Sequence, residues 1–213
     1  MRRGLFAVST LVLLAAHTPV VALETQTFVD TFAATCVPQR LSFEGTKAQA
    51  AAEGWTVVPQ TDHPQLDFLL QTSVRTVEED TEIEGEIAFE TYRREVDGTT
   101  LHLVVTRSVA AMEGMDPFID IGCYLYDFAA DEPPDPAPVG KWLDRPIARA
   151  ETNDTIHAYL WGPACPMPRT GDTYMTYVPA SSPLAARHGF SGLMMKFSTS
   201  EPDPGEVVPE TYC

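Results

Sequence analysis

An α+β fold, two N-terminal helices packed on a mainly antiparallel sheet of about five to six strands, follows from three features of this sequence. Apolar residues recur at helical spacing before residue 60, and they alternate singly from residue 82 onward. Four cysteines lie dispersed along the chain, an even number that disulfides would use as staples.

The first helix covers residues 27–37, where Phe28, Phe32 and Cys36 stand at i, i+4 and i+8, and Pro38 ends it. A second begins near Ser42, a good N-cap, and runs to Gly54, where a left-handed C-terminal cap belongs. Trp55 to Val58 leads out as a short extended segment before Pro59, and residues 64–72 fit a helical turn or a strand equally. Then the period changes. Ile83, Ile87 and Phe89 alternate with Glu82, Glu84, Glu86 and Glu90, and Leu101, Leu103 and Val105 alternate in the next strand. A two-residue Asp97-Gly98 turn would set the acidic face of the first strand beside the apolar face of the second. Keeping one face apolar favours a three-residue loop with Gly98 in the left-handed position, which pairs Phe89 with Val105 and Thr91 with Leu103.

The third strand, residues 118–128, carries Ile119, Ile121, Cys123 and Leu125 on one face. The acidic, proline-rich loop 131–140 is unsuited to a helix or a central strand. A partly helical crossover over residues 142–150 leads to strands at 155–161, 172–178 and 190–198, and residues 199–213 form an irregular tail. Residues 23–213 suit a single domain by length.

Residues 1–22 read as a cleaved signal peptide. Arg2 and Arg3 precede an apolar run from Leu5 to Ala16, which is too short to span a bilayer, and Val20-Val21-Ala22 supplies a small-residue cleavage site. The expected location is therefore exported, periplasmic or extracellular, with no membrane insertion after cleavage. In that compartment the cysteines should be oxidised, as Cys36–Cys123 and Cys165–Cys213; the alternative joins Cys123 to Cys165 and Cys36 to Cys213. No CxxC pair is present to suggest a metal or redox centre. The chain carries 14 Lys+Arg against 30 Asp+Glu, a net charge of −16, which opposes binding to nucleic acid or anionic lipid.

Candidate chemistry is sparse, and the sequence supports no catalytic residue, metal or cofactor. His102 and His157 sit on predicted strands between apolar neighbours, which places each on the opposite, more exposed face. They would form an acid–base or metal pair only if their strands were neighbours, and a hydrolase built on either would need a carboxylate such as Asp154. Ser191 lacks the glycine at position 193 that a nucleophile elbow requires. The remaining candidates are aromatic. Tyr124 and Tyr126, with Phe128, share the face opposite Cys123, and His157, Tyr159 and Trp161 share one face of a later strand. Exposed, Tyr124, Tyr126, His157, Tyr159 and Trp161 would bind a protein or a small ligand. Beneath helices they would be core, and helices must cover one sheet face. The expected function is an exported, non-enzymatic binding or accessory domain. The alternatives are a small hydrolase using His102 or His157, and a structural envelope protein.

Overall fold

The computed structural model describes residues 23–80, 84–111, 114, 116–203 and 205–211. The signal segment, Glu82, Ile83 and Cys213 lie outside them.

Both N-terminal helices form where their caps and stripes place them. Helix α1 (Thr25–Cys36) buries Phe28, Val29, Phe32 and Cys36. Helix α2 (Phe43–Ala52) starts at Ser42, whose hydroxyl accepts from the Gly45 N–H, and Gly54 follows it at φ +81°. After the two-residue strand β1 (Thr56–Val57) and a turn of 3-10 helix over Gln60–Asp62, helix α3 (Pro64–Glu79) resolves the ambiguous segment. Pro64 suits its first turn, and the His63 ring caps it by accepting from the Gln65 N–H. Strands β2 (Glu84–Val96), β3 (Thr99–Ala111) and β4 (Phe118–Asp127) follow as a meander. Helix α4 (Ala137–Leu143) then precedes β5 (Arg149–Asn153), β6 (Ile156–Trp161) and β7 (Thr173–Val178). Helix α5 (Pro183–His188) leads into β8 (Gly192–Ser200).

All pairings are antiparallel, in the order β1-β2-β3-β4-β8-β7-β6-β5. The sheet thus has eight strands rather than five to six. The additions are its two edges. β1 is only two residues long, and β5 (RAETN) is exposed throughout and carries no apolar alternation to read.

Helices cover both faces, which corrects the picture of two helices on one side. Phe28, Phe32, Ala50, Val139 and Leu143, from α1, α2 and α4, pack with Leu103, Leu125, Met175 and Met195 of one face. Leu66 and Leu70 of α3 and Leu184 of α5 pack with Val104, Tyr126 and Val178 of the other. This explains the β2–β3 hairpin, whose register differs from expectation. Val96 pairs with Thr99, Tyr92 with Leu103 and Glu90 with Val105 across a two-residue turn, Asp97 at φ 48° and Gly98 at φ 84°. These strands bury both faces rather than one, because Phe89 is covered by the α3 layer. Glu90, on the opposite face, is held by the Tyr92 hydroxyl and by Lys47 at 3.7 Å.

Two smaller corrections concern irregular segments. The loop assigned to 131–140 ends at Pro136, because Pro138 is tolerated in the first turn of α4 and Asp135 accepts from the Ala137 N–H. The tail begins after Ser200, since β8 continues pairing with β4 through that residue. The Cys36–Cys123 disulfide joins α1 to β4, as expected. Cys165 is also disulfide-bonded, and Cys213, its expected partner, lies outside the described residues.

Candidate functional site

Strand alternation and the observed register divide the five predicted binding residues between opposite faces of the sheet. Tyr126 pairs with Met194, beneath α3 and α5, and is 9 % exposed. Trp161 is fully buried in the core on the α1 side, Tyr159 packs against it, and His157 lies on that same face. Of the five, Tyr124 joins the open region described below, and Tyr159 also borders the hollow at its far end.

The two candidate histidines are separated in the same way. His102 falls on the α3 face and His157 on the other, so they cannot act as a pair. His102 is not exposed, as its flanking residues suggested, but 4 % exposed, because the 3-10 turn and α3 close over it. Its Nε2 lies 3.1 Å from Asp62 Oδ2, while Nδ1 is buried without a hydrogen-bond partner among the described residues. A histidine–carboxylate pair therefore exists, with Asp62 rather than Asp154. The His102–Asp62 contact pins the 3-10 turn to the sheet. His63 stacks on Phe128 at 4.1 Å and is held below its ordinary pKa by burial and then by nearby His102, against the opposing pull of Asp62.

Among the described residues, the rest of the α3 face is only partly covered. Helix α3 covers the β2–β3 side and α5 the end nearest Val178, leaving a strip that crosses β4, β8, β7, β6 and β5. One cross-strand row there reads Tyr124, Lys196, Tyr174, Leu160, Arg149. Lys196 Nζ stands 5.7 Å from the Tyr124 ring centroid and 5.1 Å from that of Tyr174, a cation clasped by two π faces. Burial lowers the Lys196 pKa, and Asp120 partly offsets this. Burial raises Asp120, while a hydrogen bond with Ser198 and the charge of Lys196 pull it back. Neither Lys196 nor Arg149 forms an ion pair among the described residues.

Gly122 shapes this strip. A Cβ there would come within 2.4 Å of Thr106 Oγ1 and 2.6 Å of Tyr124 Cε2, so the missing side chain is what lets the Tyr124 ring lie along the strand. At the far end of the row, Arg149, Glu151, Ala158, Leu160 and Tyr174 border a shallow hollow of about 180 Å³. Lys196 and Arg149 are three strand spacings apart, about 14 Å. Tyr174 and Leu160 make an aromatic and aliphatic floor between two cations. Sequence reading missed Lys196, Tyr174, Asp120 and Arg149. The available signal was Lys196 itself, the one charged residue in the apolar run 190–198.

Compared with known families, curated proteins and solved structures, the chain matches no family model, no curated protein and no solved structure.

Proposed function

We propose that this is an exported binding protein that holds a small anionic, flat-bodied ligand on the open strip of its sheet. The observation that carries the reading is Lys196: a half-buried cation between two tyrosine rings, without a carboxylate in ion-pair contact among the described residues, in a chain of net charge −16. An acidic protein neutralises its cations easily. One left unpaired in a partly desolvated cradle favours an anion from outside. The tyrosine faces, Leu160 and the adjoining hollow offer contact to a planar apolar body, and Arg149 offers a second anionic contact. Oxidised Cys36 and Cys123 are compatible with the exported location proposed here.

The probe is 1-anilinonaphthalene-8-sulfonate, an aromatic anion whose emission rises on binding. It is expected to saturate the folded protein at one strong site. Lys196→Met, which keeps the stem packed between the rings, is expected to weaken binding about tenfold or more, the effect of losing one charge-assisted contact. Equal affinity in parent and variant would remove Lys196 as the anchor.

A further inference from the structure

We propose that Lys196 also captures carbonyl compounds covalently, its Nζ forming a reversible imine with an aldehyde that carries an anionic aromatic body. This rests on the binding reading above and adds a bond-forming step to it.

The chain has three lysines, in three different settings. Lys47 is held by Glu44 at 3.2 Å and by Glu90 at 3.7 Å. Lys141 lies exposed on α4. Lys196 alone stands half-buried between aromatic faces and free of an ion pair among the described residues. An amine attacks only as the free base, and loss of hydration favours that form at any given pH. The lowered pKa of Lys196 agrees with this setting. The partner groups for proton traffic are nearby: Asp120, within electrostatic reach and hydrogen-bonded with Ser198, and the Tyr124 hydroxyl, hydrogen-bonded with Thr106.

The chemistry balances without a further reagent. The Nζ lone pair attacks the carbonyl carbon, and the carbonyl oxygen takes up a proton to give a carbinolamine. That oxygen then leaves as water, taking with it the equivalent of both amine hydrogens, and a carbon–nitrogen double bond remains. Asp120, the carboxyl group whose charge reaches the amine, would donate and recover the proton that the departing oxygen needs. The rings of Tyr124 and Tyr174 would flank an aromatic aldehyde at the amine, and its anionic group would point along the row toward Arg149.

The test treats the intact folded protein at pH 7 with 4-carboxybenzaldehyde and sodium cyanoborohydride, then maps the reduced adducts by peptide mass spectrometry. Lys196 is expected to be alkylated faster than Lys141 or Lys47, because desolvation between the two rings favours its free base. Labelling of Lys196 no faster than Lys141 would overturn the proposal. Lys196→Arg keeps the cation but cannot form the imine. It should lose the adduct on β8. If the parent binds the sulfonate but shows no preference for Lys196, the imine falls and the binding reading stands. If the parent does not bind the sulfonate, the binding reading falls and takes its covalent extension with it.

Discussion

Lys196 and His102 both sit on the α3 face, yet they meet opposite surroundings. His102 is enclosed, with its proton-bearing contact given to Asp62. Among the described residues, no helix crosses Lys196, and its charge meets two π faces and a more distant carboxylate. His63, between these regions, has a pH signature of its own. Its pKa is lowered from the ordinary 6.5 mainly by burial, so the unfolded chain takes up a proton before the folded one does. Its contribution to stability is therefore intact above pH 6.5 and is lost as pH falls below that value through the folded pKa. Protonation at Nδ1 would also remove the acceptor that caps α3. His63→Asn keeps a capping side chain and removes the titration. Its Tm deficit relative to the parent is expected to narrow between about pH 7 and pH 5, the range in which histidine titrates. Parallel Tm curves for the two proteins over that range would contradict the assignment.

The β2–β3 hairpin shows which level of the fold was readable and which was not. Both strands were evident from their alternation, but the register was not, because the reasoning assumed one buried face where the protein buries both. Phe89 belongs to the α3 layer, while Tyr92 and Glu90 belong to the α2 side, a division that depends on helices elsewhere in the chain. The turn now makes a measurable demand. Gly98 at φ 84° requires a residue that tolerates the left-handed region. Gly98→Ala should cost about 1 kcal/mol in denaturant unfolding, since no neighbour lies within 4 Å of the added Cβ and only the backbone resists. A variant as stable as the parent would contradict the observed turn. Similar limits applied to the site. The aromatic residues were visible one by one, but Tyr124 and Trp161 sit on opposite faces because of strand order, which no local pattern encodes. Arg149 was hidden because its strand has no apolar period, and Lys196 because a lysine in a strand ordinarily points to water.

The molecule as a whole is two layers of helices around one sheet, fastened across its larger core by Cys36–Cys123. That bridge closes a loop with a sequence separation of 87 residues, for which chain entropy gives at most about 4–5 kcal/mol. With both sulfurs in the buried core, it constrains α1 against β4 and takes no part in the open strip. The net charge of −16 opposes contact with polyanions. Among the described residues, the Tyr124–Lys196–Tyr174–Leu160–Arg149 row is where cations without ion pairs and a flat floor coincide. The most direct measurement is a titration of the nitrogen-15-labelled protein with benzoate, followed by amide chemical shifts. The shifts should be largest on β4, β6, β7 and β8 around Tyr124, Leu160, Tyr174 and Lys196, extend to Arg149 on β5, and disappear in Lys196→Met. Shifts centred instead on His157 and Tyr159 of the opposite face, on the proline-rich segment after Asp131, or nowhere at all would contradict a ligand site on this strip.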